Sequence, residues 1–256
     1  MIISFLIAAF TASSDCPLEI PSISAVQTDE SHQDLVEAYH EDLVERLRHL
    51  ESPTEEPTNA WEYFLSADQT TADERASCLL NLVSHDMYIR LELGRLGQEA
   101  APEDERRQYM ISASRTMAAI DQRNREWLRG QVENHGWFSI SGFGEDADQA
   151  AFLIVQHADG DIAFQQEMLD LLLPLAASGE TSVIGFSYLM DRVAVNTGER
   201  QLYGTQGWCT GPNSWEPREY EGSRQDVDGR RQAIGLQPLE NYISHIAQNC
   251  TTDQRY

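Results

Sequence analysis

From residue 71 to residue 192, apolar side chains recur every three to four positions in one segment after another. Each segment is bounded by a proline, a glycine or a capping side chain. That period belongs to amphipathic helices and not to strands, so most of the chain is committed to a mainly α fold. Residues 71–97 read as a long helix opened by Thr71 or Asp73, and 103–134 as a second that stops at Gly136. The stretch WFSISGFGE from Trp137 to Glu145 reads as irregular. A short, very apolar helix follows over 146–158, then one over 162–177 between a capping Asp161 and a stop at Gly179, then one over 181–192.

Beyond 192 the period changes. Val193-Ala194-Val195, a turn at Asn196-Thr197-Gly198, and Gln201-Leu202-Tyr203 predict a small β-hairpin over about 193–206. After Gly207 the chain reads as loop-rich, closing with a helix from about Pro238 to Gln248. On the other side, residues 15–28 look extended. Leu35, Tyr39, Leu43, Leu47 and Leu50 mark one amphipathic helix, and Ser-Pro-Thr-Glu-Glu-Pro at 52–57 reads as a linker. The sequence thus divides into a leader (1–14), a helical arm and linker (15–70), and a helical domain with a β-hairpin and a loop-rich C-terminal segment (71–256).

The leader is read from Ile2 to Phe10, an apolar run followed by Thr11-Ala12-Ser13-Ser14. It is too short to span a bilayer and resembles the apolar region and cleavage zone of a secretory signal peptide, although no Lys or Arg precedes it. Export to the periplasm or beyond is the expectation. Lipid attachment at Cys16 is the alternative, although Ser13-Ser14-Asp15 matches poorly the small residues that precede a lipidated cysteine. Four cysteines in an exported chain suit disulfides, with three connectivities open. Pairing Cys209 with Cys250 would staple the C-terminal segment, and Cys16 with Cys78 would tie down the arm; four unpaired thiols is the remaining option. No C-x-x-C is present, which leaves a redox site or zinc knuckle without support.

Charge narrows the function. With 18 basic and 42 acidic residues the formal charge is −24, and every basic residue is arginine. Without lysine there is no Walker-type phosphate loop, Schiff base or Ser–Lys dyad. The carboxylate excess opposes nucleic acid and anionic membrane surfaces alike. Gly142-Phe143-Gly144 before a helix suggests a phosphate cradle, but Glu145 and Asp146 would repel the phosphate.

The informative residues are ionisable ones standing where the period calls for apolar side chains. His157 continues the stripe of Ala147, Ala150 and Ile154 and is expected to be buried with a hydrogen-bond partner. Asp86 lies within the stripe of Leu79, Leu82, Val83 and Leu93, with Arg90 one turn on. Asp121 shares a face with Met117, Ala118 and Leu128, with Asn124 nearby, and Asp191 follows Ile184 and Tyr188, beside Arg192. Carboxylates on three helices and an imidazole on a fourth suggest one polar centre. It is either a pocket or a buried network that fixes helix register.

These residues, with His135-Gly136-Trp137, Gln156-His157-Ala158-Asp159, Asp191-Arg192 and Gln201-Leu202-Tyr203-Gly204-Thr205-Gln206 in order, resemble the bacterial domain of unknown function 6624. Asp86/Arg90, Asp121/Asn124 and a late segment of Arg230, Arg231, Gly235, Leu236, Pro238 and Leu239 extend the resemblance over roughly 75–245. Phe138 stands where that family carries proline. The resemblance implies a common fold and a shared polar centre, and no reaction.

On the enzyme reading His157 is the general acid or base, oriented by Asp159 or Asp191, and hydrolysis is the class because nothing points to an organic cofactor. Arg90 or Arg192 would hold an anionic group of a small molecule or peptide. Asp86, Asp121, Asn124, His135, Trp137, Gln201, Tyr203, Thr205 and Gln206 would complete the binding surface. No G-x-S-x-G motif or clear nucleophile is present. A metal variant places a divalent ion on His135, His157 and Asp159, with Asp191 as fourth ligand. The other readings are a ligand-binding module and a purely structural network.

Overall fold

The computed structural model describes residues 16–17, 73–96 and 103–251. The predicted leader (1–14) and nearly all of the arm and linker (15–70) lie outside the described residues. The chain divides into two compact units, Met1–Phe138 and Ser139–Tyr256, inside the span that the sequence presents as one domain.

In the first unit, α1 (Glu74–Leu96) packs on α2 (Glu103–His135). Asp73 opens α1, its carboxylate accepting from the backbone N–H of Arg75 and Ala76 at 2.9 and 3.0 Å. Gly136 ends α2 with φ +77°, a conformation that costs glycine little. Arg75, at the start of α1, donates from Nε to Gln131 Oε1 at 2.8 Å and lies 4.7 Å over the Phe138 ring, tying it to the far end of α2. Leu79, Leu82, Val83, Met87 and Ile89 from α1 and Ile120, Leu128 and Val132 from α2 are buried. Burial of these stripes is the chief source of helical stability in a pair like this.

A disulfide joins Cys16 to Cys78 of α1 across 62 residues, and in the chain-entropy picture it stabilises the fold by about 4 kcal/mol. It also uses the Cys16 sulfur, which removes the lipid-attachment alternative: a thioether and a disulfide need the same atom.

The second unit holds α3 (Ile140–Phe143), α4 (Glu145–His157), α5 (Ile162–Ser178), α6 (Val183–Asn196), β1 (Gly207–Gly211), β2 (Ser214–Pro217), α7 (Arg224–Ala233) and α8 (Leu239–Ala247). Helices α4, α5 and α6 pack on one another through Phe152, Ile154, Phe164, Met168, Leu172, Phe186 and Leu189. Asp161 caps α5 by accepting from Phe164 N at 3.0 Å, and Gly179 closes it at φ +78°, as the sequence predicts. Ser182 caps α6, its hydroxyl accepting from Gly185 N at 3.1 Å, one residue after the predicted start. A second core joins Cys209, Trp215, Val227, Leu239, Tyr242, Ala247 and Cys250, with Tyr188 of α6 against it. The Cys209–Cys250 disulfide closes this core.

The mainly helical fold with a two-stranded antiparallel hairpin agrees with the sequence reading, but the hairpin lies elsewhere. Val193-Ala194-Val195 form the last turn of α6, and Asn196-Thr197-Gly198 is its stop, with Gly198 at φ +81°. Val193 continues the buried stripe of Phe186 and Leu189, so burying a whole helix face outweighs the strand preference of three residues. The strands are β1 and β2, pairing Trp208 with Glu216 and Cys209 with Trp215 around a turn in which Asn213 has φ +54°. The segment read as loop also contains α7. Its Ser223 and Asp226 form a reciprocal capping box, a signal present in the sequence. The short α3 occupies the stretch read as irregular.

Candidate functional site

In the first unit the helical register brings Asp86 and Arg90 of α1 to Asp121 of α2. Asp86 is buried, and Arg90 Nε donates to its Oδ1 at 3.0 Å while a terminal guanidinium nitrogen donates to Asp121 Oδ1. Burial opposes the Arg90 charge, but the two carboxylates outweigh it and hold its pKa above the ordinary arginine value. Asn124, also buried, accepts at Oδ1 from Arg123 Nε and Nη2 at 3.1 and 2.9 Å. Burial lowers Arg123 to about 10, an effect Asp86 offsets in part. His85, which the sequence reading passed over, belongs to the same group. Burial, helped by the Arg123 charge and opposed by Asp86, lowers it to about 4, and its Nδ1 is buried without a hydrogen-bond partner. Its neighbour Asp86 was the only available signal, since His85 stands beside the stripe and not on it. Of the other residues expected here, His135 is exposed at the end of α2 and Trp137 is buried.

In the second unit Asp191 is fully buried on α6, and the loop after that helix wraps around its carboxylate. Leu202 N donates to Oδ1 at 2.7 Å and Tyr203 N at 3.0 Å; Thr205 N and Thr205 Oγ1 both donate to Oδ2 at 2.9 Å. The acceptor side of the loop is met as fully. Arg230 Nε donates to Leu202 O at 2.8 Å, Arg231 Nη1 to Tyr203 O at 2.7 Å, and Tyr242 Oη to Thr205 O at 3.1 Å. Gln201 closes the ring, accepting at Oε1 from Gln206 N and donating from Nε2 to the carbonyls of Gln206 and Arg218. Gly204 takes φ +71° with Leu239 pressed against it, so a Cβ there would lie 3.0 Å from the leucine methyls.

The charges around this loop are buried with it. Arg231 is wholly inaccessible, lies 4.9 Å over the Tyr242 ring and is lowered by burial. Burial first, and then Tyr188, push the Tyr242 hydroxyl well above the usual phenol value. Burial and the Asp191 charge raise Tyr203 also, with Arg230 opposing. Each residue of Gln-Leu-Tyr-Gly-Thr-Gln therefore has a conformational or hydrogen-bonding task within the loop.

The third group of polar residues lies at the C-terminal end of α4. His157 is the last residue of α4 and is half-buried, not buried as its stripe predicts. Two residues on, Asp159 Oδ2 accepts from Arg192 Nη1 at 2.6 Å; the side chains are 53 % and 24 % exposed respectively. Asp159 Oδ1 accepts from Nε2 of Gln165, a fully buried residue of α5, at 3.2 Å. Asp191 and Arg192 are adjacent in sequence yet serve different groups, the acid turned to its loop and the base to Asp159. None of the Asp191 hydrogen bonds goes to a histidine. All four cysteines are in disulfides, which leaves no thiol nucleophile.

Both disulfides fit an exported protein, and among the described residues no helix is long and apolar enough to cross a membrane. No curated protein and no solved structure matches the chain. Residues 75–252 match the family of unknown function DUF6624, a span that takes in both helices of the first unit, the Asp191 loop and the His157 segment; the chain belongs to that family.

Proposed function

We propose that this protein is an exported hydrolase of small polar substrates in which His157 is the general acid and base. The observation that supports this reading is the contrast between the two carboxylates near the ends of α4 and α6. Asp191 has its oxygens taken up by one loop, whereas Asp159 stays half exposed, two residues from a half-buried histidine and with an arginine on it. In this scheme water is the nucleophile. His157 takes its proton as it adds to the substrate and returns a proton to the leaving group, a role that contributes about 10²–10⁴-fold in enzymes of this kind. Asp159 orients the imidazole or balances its charge, and Arg192 holds an anionic part of the substrate. Tyr203, half-buried at the edge of the Asp191 loop, contributes a phenol to the binding surface, and Thr205 and Gln206 shape it.

The test is turnover of a panel of small esters, phosphoesters and amides by wild type, His157→Ala and Asp159→Asn, with metal content measured on the same protein. The expected result is turnover that falls about 100-fold or more in His157→Ala while the fold keeps its stability to within about 0.5 kcal/mol. Turnover unaffected by His157→Ala refutes the assignment. Saturable binding without turnover makes the same residues a ligand-binding site. A stoichiometric divalent ion lost in His157→Ala and Asp159→Asn replaces acid–base chemistry with metal-assisted hydrolysis.

A further inference from the structure

Gln165 has no place in the chemistry above, yet it is wholly buried and its carboxamide nitrogen serves three acceptors: Val155 O at 3.1 Å, Gln156 O at 3.4 Å and Asp159 Oδ1 at 3.2 Å. Two of these are carbonyls at the C-terminal end of α4, where i to i+4 donors run out; Val155 O also accepts from Ala158 N at 3.2 Å. Capping alone would be complete with them. The third contact is to a side chain on the surface, and the second oxygen of that carboxylate is held by Arg192. Asp159 is thus gripped from α5 at one oxygen and from α6 at the other. An exposed ion pair by itself holds its members weakly, because both long side chains must lose rotamer freedom to form it. A buried amide anchored on two backbone carbonyls has already lost that freedom.

The amide has a second informative feature. Because Nε2 faces the acceptors, Gln165 Oε1 is left buried without a hydrogen-bond partner. An orphaned carbonyl in the interior is a cost to stability that an apolar side chain of the same size would avoid. Residues kept at such a cost are commonly kept for what they position.

We propose that Gln165 is the positioning residue of this site: it fixes the Asp159 carboxylate in one rotamer, and with it the turn His157-Ala158-Asp159. The inference rests on the reading of His157 and Asp159 as the acid–base pair, but its own test does not need turnover. Three-bond NMR couplings across the Asp159 Cα–Cβ bond report whether the side chain holds one staggered rotamer or averages over several. A single rotamer is expected in wild type and in Arg192→Met, where Gln165 remains. Averaging is expected in Gln165→Met, and not in Leu172→Ala, which loosens the buried face of the same helix without touching Asp159. Averaged couplings in wild type or in Arg192→Met overturn the proposal, as does a single rotamer in Gln165→Met. Wild type and Arg192→Met are read independently of Gln165→Met, so the answer survives a Gln165→Met protein that does not fold. Turnover is read separately. A fixed Asp159 in a protein that turns nothing over removes the hydrolase reading and leaves the positioning in place. Where turnover exists, Gln165→Met lowers kcat on the order of 10-fold with little change in KM, because misplaced groups are felt in the transition state.

Discussion

Two aspartates of the second unit, Asp191 and Asp159, are both held at both oxygens, and they are held in opposite ways. Asp191 is buried, and its partners are the backbone and hydroxyl groups of one short loop that no other element could satisfy. Asp159 is half exposed, and its partners are side chains from two helices. A carboxylate that collects backbone N–H groups is a folding device: it gives an irregular segment the donor partners that a helix or sheet would otherwise supply. A carboxylate held by side chains at the surface supplies no partners to backbone N–H groups, and one side of it stays open to solvent. Two acids that the sequence offers alike as partners of His157 thus divide into one that builds a loop and one that the proposed chemistry uses.

The comparison breaks first at Asp191. Asp191→Ala leaves the donors of Leu202, Tyr203 and Thr205 orphaned beside the buried Arg231, and is expected to cost about 3–5 kcal/mol in denaturant unfolding. A loss below about 1 kcal/mol would mean that the loop holds itself. Removing the Cys209–Cys250 bridge with paired Ser substitutions should cost about 2–4 kcal/mol by the same assay, since it closes the core on which that loop sits.

The first unit supplies a pH-dependent test. His85 is neutral in the fold, with a pKa near 4 against an unfolded value of 6.5. Between those values the unfolded chain binds the extra proton, so stability rises with pH across the window. The contribution is complete above about pH 6.5 and is lost as pH falls towards 4, about 3 kcal/mol in all. His85→Met should flatten that slope; a slope unchanged by the substitution would place its origin in other groups. Smaller still is Gly204→Ala, expected to cost about 1–2 kcal/mol through its left-handed backbone and the nearby Leu239 methyls. The smallest effect belongs to the surface pair: Arg192→Met should change stability by less than about 1 kcal/mol.

Much of the fold was legible because helices advertise themselves through stripes and caps: Asp73, Asp161, Gly136 and Gly179 mark the ends they were expected to mark. The hairpin was not, because Val193-Ala194-Val195 carries strand-like residues whose fate depends on Phe186 and Leu189 lying on the same helix face. The true strands hold Trp208, Cys209 and Trp215, whose role depends on a core assembled from α7 and α8. The polar residues were found by their positions, but their roles were not. Nothing in the order Asp191-Arg192 says that one side chain turns inward and the other outward. His157 shows the same limit, since a stripe gives a direction and cannot show how completely the last side chain of a helix is covered. Gln165 was missed because a polar residue among apolar ones on α5 draws attention only when it can ionise.

The most direct measurement is the unfolding free energy of His157→Ala beside that of Asp191→Ala, with both disulfides intact. The expected result is a His157→Ala protein within about 0.5 kcal/mol of wild type and an Asp191→Ala protein several kcal/mol below it. The reverse order, with His157 carrying the stability and Asp191 dispensable, would contradict the division between the residue that builds and the segment that acts.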